Sequence, residues 1–275
     1  MGIHELVISG GEPFVRSDIF DFLSFCKKSK VETTVLTSGV LLDRKKIKTL
    51  KKTGVNVRMS LEGVSKEAHD YVRGKGALET FIKVMSIIRE EKLENISVHF
   101  TLNKVNLPEV LALPYFLNKL GIKDVVLSTI KPTGNARLHP ELLIEPESMP
   151  FVNKRLCTIS KDRSIVFSHY KEENWKGFSC PAAFAKCGIT SDGRITPCVF
   201  LGAEFLGSSI REHPFQYIWQ NDKILNVLRN LSSNKNCLSC QLLLHLHGGC
   251  RARALYFYND LNAIDPYCCQ MKKPH

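Results

Sequence analysis

The stretch His4-Glu5-Leu6-Val7-Ile8-Ser9-Gly10-Gly11-Glu12-Pro13 opens the chain with a short β-rich run, two glycines and a proline that leads towards a helix. Working outward from it, further β-rich runs occur at residues 33–37, 55–61, 96–102 and 124–130. Helical patterns lie between them at 18–28, 43–52, 77–92 and 108–120. Several of these strands are nearly continuous apolar runs, as expected where helices cover a parallel sheet. The punctuation agrees: Gly54 and Gly121 close helices and Pro108 opens one. βα units repeating every ~25 to 40 residues predict a parallel α/β sheet, barrel-like or doubly wound.

The rhythm changes after Lys131-Pro132-Thr133-Gly134. A helix is predicted over 147–161, a strand over 164–168 and an amphipathic helix over 218–231, with Ser232-Ser233-Asn234-Lys235 as a linker. Two domains are therefore expected, 1–170 and 171–275. Neither an internal repeat nor a low-complexity segment interrupts them.

Composition bounds the function. The chain has 275 residues, 44% hydrophobic and 24% charged, ordinary values for a globular protein. No apolar run approaches the roughly 20 residues that span a bilayer, so no membrane partner is expected. No secretory leader is visible, so ten cysteines predict metal binding in a reducing cytoplasm and not a disulfide scaffold. The net charge of +11 is concentrated in lysine runs such as Arg44-Lys45-Lys46-Ile47-Lys48, where Ile47 and Leu50 recur at helical spacing. That is the solvated face of an amphipathic helix, and no nucleic-acid partner is expected.

The cysteines are unevenly placed. Cys180, Cys187 and Cys198 come first, with Gly193 five positions before the third; Cys237 and Cys240 form a CxxC; Cys250 follows Gly248-Gly249; Cys268 and Cys269 are adjacent. Thiolates in such arrays suit iron–sulfur clusters or zinc. Structural zinc usually uses two close ligand pairs, and only one CxxC is present, which favours iron.

Polar groups also recur at strand ends. Gly10, Gly11, Glu12 and Pro13 follow the first strand, Thr37-Ser38-Gly39 the second and Ser60-Leu61-Glu62-Gly63 the third, with Arg73-Gly74 beyond. Ligands bind at the carboxyl ends of parallel strands, and glycines there admit close backbone approach. Each segment alone is equally readable as an ordinary polar turn.

Taken together, these segments resemble the radical S-adenosylmethionine enzymes that carry a C-terminal SPASM domain. Gly10-Gly11-Glu12-Pro13 matches the GGEP motif of that family, which binds the methionine amino group of the cofactor. Thr37-Ser38-Gly39 resembles its TNG, and Ser60-Leu61-Glu62-Gly63 its SLDG with Glu62 in place of Asp. The resemblance implies that Ser38, Ser60 and Glu62 lie near the cofactor, and that Arg73 meets its carboxylate. It implies S-adenosylmethionine and [4Fe-4S] clusters as cofactors, and a peptide or tetrapyrrole-type substrate. An electron donor such as a flavodoxin or ferredoxin is implied as well. In that family a reduced cluster cleaves the cofactor, and the carbon radical released takes a hydrogen atom from the substrate.

By the same resemblance Cys180, Cys187, Cys198 and Cys250 ligate a first auxiliary cluster, and Cys237, Cys240 and Cys268 a second. The position expected to complete the second set is Leu246, which cannot bind iron. His245, His247 and Cys269 are the alternatives, and a three-ligand or empty site is another. The segment 248–254 and the ending Asp265-Pro266-Tyr267-Cys268 are similar to the tetrapyrrole group of the family.

One departure matters. The family's CxxxCxxC, which holds the cluster that cleaves the cofactor, is absent, and Cys26 is the only cysteine before Cys157. The expected fold is thus a partial parallel (β/α) TIM-like barrel lacking its first βα unit, about 60 residues by the size of such units, plus a small cysteine-rich cluster domain. Five parallel strands in chain order are predicted, the first on an open edge. The competing expectation is a non-catalytic iron–sulfur or zinc binding protein, or an inactive gene fragment.

Overall fold

The computed structural model describes residues 2–162, 164–167, 180–231 and 248–267. The chain divides into two units: Met1–Thr129 with Phe151–Glu172, and Ile130–Pro150 with Glu173–His275.

The first unit is built from β1 (Glu5–Ile8), α1 (Ile19–Lys28), β2 (Glu32–Thr37), α2 (Arg44–Thr53), β3 (Asn56–Leu61), α3 (Lys66–Arg73), α4 (Ala77–Glu90), β4 (Ile96–Leu102), α5 (Leu113–Lys119), β5 (Asp124–Thr129), most of α6 (Met149–Ile159) and β6 (Val166–Phe167). All six strands are parallel, and their order in the sheet is their order in the chain. A doubly wound sheet reverses direction at a switch point; this one never does, so it is a segment of a (β/α) barrel wall.

Local chemistry explains the elements. Asp43 caps α2 by accepting from the Lys46 amide, and Gly54 ends that helix in the left-handed region at φ 72°. Ser65 caps α3 through the Ala68 amide. The apolar side chains of the strands and helices meet in a core that includes Val35, Ile47, Val57, Leu61, Phe81, Phe100 and Leu113, each at most 1% exposed. Residues on β3 alternate in burial: Val57, Met59 and Leu61 are buried, whereas Asn56, Arg58 and Ser60 are half-exposed on the other face. Register places Arg58 beside Ser97 and Ser60 beside His99. Arg58 donates to the Ser97 hydroxyl at 3.2 Å, and His99 shares a 2.8 Å hydrogen bond with Ser128. That face of the sheet is polar.

Some expected boundaries move. The helix predicted over 108–120 is a 3-10 turn at Leu107–Ala112 followed by α5, because Pro114 has no N–H to continue the ladder. Of the strand predicted over 164–168, β6 takes up Val166–Phe167 and residue 168 lies outside the described residues; α3 lies where no helix was predicted. β1 pairs with β2 on one side and, among the described residues, with no strand on the other; Val7 on it is 46% exposed.

The second unit contains β7 (Gly188–Ile189), β8 (Ile195–Thr196), α7 (Phe215–Asn221), α8 (Lys223–Arg229) and α9 (Arg251–Tyr258). The first two form an antiparallel pair. The helix predicted over 218–231 is two helices, broken at Asp222, whose carboxylate accepts from the Ile224 and Ser208 amides at 2.8 Å each. Around them Ala182, Ala183, Ile195, Leu201, Ile218, Leu225, Leu228 and Ala252 make a small buried cluster.

Candidate functional site

In the first unit the glycine turn is held open by the carboxylate of Glu12. Its Oε1 accepts from the Thr37 hydroxyl at 2.7 Å, and its Oε2 from the Ser38 amide at 2.9 Å and hydroxyl at 2.6 Å. The Phe14 amide adds a longer bond at 3.4 Å. Glu12 therefore staples the loop after β1 to the end of β2. Gly10 lies at φ 147°, which side-chain-bearing residues rarely adopt, and a Cβ at Gly10 or Gly11 would meet no protein atom within 4 Å. The need for glycine at Gly10 is conformational, and open space lies beside both residues. Pro13 is buried at the start of the short turn that follows.

Beyond β3, Glu62 is buried and pairs with Arg73, Nη2 to Oε1 at 2.7 Å. Burial pushes the Glu62 carboxyl up from the usual range, while the guanidinium and a hydrogen bond from Thr101 pull the other way. The Glu62 amide donates to Nδ1 of His69 at 3.0 Å, and its carbonyl accepts from the Asn106 amide group at 2.9 Å. His69 must be neutral to accept, and burial brings its pKa down to about 4. Gly63 admits no side chain, since a Cβ would come within 2.7 Å of the His69 backbone nitrogen. Ser60 and Glu62 thus stand at the end of β3, and Arg73, the last residue of α3, is engaged by Glu62. Cys26 is buried in α1, 3% exposed.

The second unit gathers Cys180, Cys187, Cys198 and Cys250, all half-buried, against the same apolar cluster. Burial raises the Cys198 thiol, and the neighbouring Cys180 and Cys250 raise it further. Burial pushes Cys187 up to about 11, against the pull of Arg229. The Arg229 guanidinium lies 4.8 Å from the centre of the Trp219 ring and donates to the Ala183 carbonyl at 2.9 Å. Lys131 is half-buried, and its amine is brought down to about 8, chiefly by burial. Cys250 and Cys198 are among the groups that act on that amine in the opposite sense.

Among the described residues, no three His, Cys, Asp or Glu side chains are grouped to hold a single metal ion. A [4Fe-4S] cluster asks for something else, one thiolate on each of four irons. Cys180 and Cys250 lie near enough to Cys198 to act on its thiol, and Cys187 packs on the same apolar cluster, so the donor chemistry suits such a group. Cys237, Cys240, His245, His247, Cys268 and Cys269 lie outside the described residues.

The radical SAM superfamily profile matches residues 1–113, and that of an iron–sulfur cluster-binding domain, SPASM, matches 180–241. The chain joins a radical SAM domain to a SPASM domain. Its relatives include the AdoMet-dependent heme synthase of Methanosarcina barkeri, 28% identical, with 96% of this chain and 81% of that protein covered. The PqqA peptide cyclase of Rhizobium meliloti is 24% identical, over 98% of this chain and 74% of its own length. Among solved structures, Streptococcus suis SuiB bound to S-adenosylmethionine superposes with a TM-score of 0.75 at 20% identity, covering 96% of this chain. The radical SAM/SPASM chain spans 66% of SuiB, just under two thirds of its length.

Radical SAM and SPASM domains bind S-adenosylmethionine and [4Fe-4S] clusters. The residues that the sequence did not mark are those that hold the marked ones. Thr37 was visible only as part of a turn, and His69 and Asn106 carried no signal. Asp265, whose carboxylate takes the Cys250 amide at 2.7 Å, was legible only as part of a resembling motif.

Proposed function

We propose that this chain works as a radical SAM/SPASM iron–sulfur protein in the radical modification of a peptide or tetrapyrrole-type substrate. The observation that carries the proposal is the gathering of Cys180, Cys187, Cys198 and Cys250 on one buried cluster within a SPASM-matching region. In this reading those four thiolates hold an auxiliary cluster, which supplies electron transfer when bound. Cys237, Cys240 and Cys268 serve a second.

The first unit binds S-adenosylmethionine. The backbone at Gly10 and Gly11 leaves room for its amino-acid moiety, Glu12 holds that backbone in place through Thr37 and Ser38, and Ser60 offers a hydroxyl towards the ribose. Arg73 is steered by Glu62 and orients the cofactor carboxylate from that position. The residues present do not fit the cluster that cleaves the cofactor, because these 275 residues contain no CxxxCxxC. A low-potential flavodoxin or ferredoxin-type donor supplies electrons, and the chain acts in the cytoplasm; no helix among the described residues is long and apolar enough to cross a membrane.

One relative is named for making haem and another for cyclising a peptide, so a tetrapyrrole precursor of haem and a peptide are both offered in the test. The 275-residue chain, anaerobically reconstituted, is expected to bind S-adenosylmethionine in calorimetry without releasing 5′-deoxyadenosine. Joined to an upstream segment that supplies CxxxCxxC, it is expected to release 5′-deoxyadenosine and to modify one of the two substrates by mass spectrometry. Cofactor cleavage by the 275 residues alone, or no binding at all, would overturn the proposal.

A further inference from the structure

The backbone that delivers Cys250 is unusually constrained. Gly248 and Gly249 lie at φ 96° and 80°, and a Cβ on Gly249 would come within 2.5 Å of the Asp265 Cβ. Cys250 then occupies the N-cap position of α9 without making a side-chain capping bond. Its amide is taken up instead by Asp265 Oδ2 at 2.7 Å. The grip is reciprocal, because the Asp265 amide donates to the Gly248 carbonyl at 2.7 Å.

Asp265 is itself fixed on all sides. Arg253, one turn into α9, donates Nε to Oδ1 at 2.7 Å and Nη2 to Oδ2 at 2.5 Å, and the Tyr267 amide donates to Oδ1 at 3.0 Å. Both charged residues are buried, Asp265 at 2% and Arg253 at 8% exposure. The guanidinium lies 4.4 Å from the centre of the Tyr267 ring, and Tyr267 in turn donates its hydroxyl to the Ile144 carbonyl. Arg251 closes the loop from the other side, donating to the Leu261 carbonyl at 2.7 Å and to that of Ala263 at 3.3 Å. A buried ion pair of this kind is weak evidence of stability, since apolar residues of similar volume often serve as well. This carboxylate is also bonded to the amide of a cysteine whose side chain is free to bind metal, so orientation explains what stability does not.

We propose that Asp265, locked by Arg253, is a positioning residue for the auxiliary cluster: it fixes the backbone of Cys250 so that its thiolate is presented without rearrangement. This rests on Cys250 being a cluster ligand. Groups that orient a metal ligand from behind typically change metal affinity about 10- to 100-fold when removed. Loss of the carboxylate would also leave the Arg253 charge uncompensated beside the cluster, which favours the reduced state.

The test uses the full chain, anaerobically reconstituted, with excess EDTA to bleach the iron–sulfur absorbance and EPR-monitored titration to read the midpoint potential. Asp265→Asn is expected to bleach at least about tenfold faster than the parent, with a more positive potential. Arg253→Lys keeps the charge but loses the two-point grip, and is expected to bleach severalfold faster. Circular dichroism of the apoproteins separates this from a merely structural role, which would lower the stability of the metal-free chain by as much as that of the loaded one. If Asp265→Asn fails to fold, Arg253→Lys decides. Parent bleaching rates and potential in the folded variants overturn the proposal. Failure of the underlying reading is separately visible: the parent would take up no iron, or Cys250→Ala would lose none.

Discussion

The two units of this chain bury very different things. In the first, six parallel strands and their helices enclose large apolar side chains such as Phe81, Phe100, Leu61 and Leu113, and the only cysteine of α1 is one of that core. In the second, the described strands are two residues each, and the buried cluster is small, five isoleucines and leucines with three alanines. Four cysteines edge that cluster, beside Phe205, Phe215 and Trp219. The difference teaches that the first unit rests chiefly on hydrophobic burial, whereas under the proposed assignment the second depends on what its thiolates bind.

The sharpest way to break that contrast is to remove the metal. Chelation of the reconstituted chain is expected to make the second unit protease-sensitive while fragments of the first remain intact, because metal binding and folding are one free energy in small metal domains. Gel analysis after brief proteolysis reads the outcome; equal resistance of both units would erase the distinction. The reverse experiment is Phe100→Ala, expected to destabilise the first unit by about 3 to 5 kcal/mol in denaturant titration and to leave iron content unchanged.

A smaller effect comes from pH. His69 is held neutral as an acceptor for the Glu62 amide, with its pKa brought from 6.5 to about 4, first by burial and then by Arg73. The unfolded chain takes up that proton at higher pH than the folded one. Its contribution to stability is therefore complete above pH 6.5, declines as pH falls towards 4, and is worth up to about 3 kcal/mol. His69→Gln should flatten that part of the pH profile of the first unit.

Smaller still is Glu12→Ala, which unfastens the loop after β1 from β2 and is expected to cost about 1 to 3 kcal/mol. Calorimetry should show weaker S-adenosylmethionine binding in the same variant, and Thr37→Val should move both quantities in the same direction by less.

How far the sequence could be read also differed between the units. Strands β2 to β5 were legible because their runs are rich in β-branched and apolar residues, with Gly54 and Gly63 around β3 and Gly121 and Pro132 around β5, and the sheet followed in chain order. Helix α3 was not, since only Ala68 and His69 of its eight residues are buried, too few to print a helical stripe. The break at Asp222 was invisible because it depends on the Ser208 amide, fourteen residues away. The cysteine array was plain from spacing, but the partners were not. Glu12 reaches Thr37 and Ser38 across twenty-five residues or more, and Asp265 reaches Cys250 across fifteen. Local sequence records which residues can bond, and only the fold records which ones meet.

Cys180, Cys187, Cys198 and Cys250 are proposed to hold an iron–sulfur cluster. Iron and acid-labile sulfide analysis of the anaerobically reconstituted parent, Cys198→Ala and Cys26→Ala chains tests it most directly. About four to eight irons per chain and little zinc are expected in the parent. Cys198→Ala should lose about four of them, and Cys26→Ala none. Iron unchanged in Cys198→Ala, or lost in Cys26→Ala, would contradict the assignment.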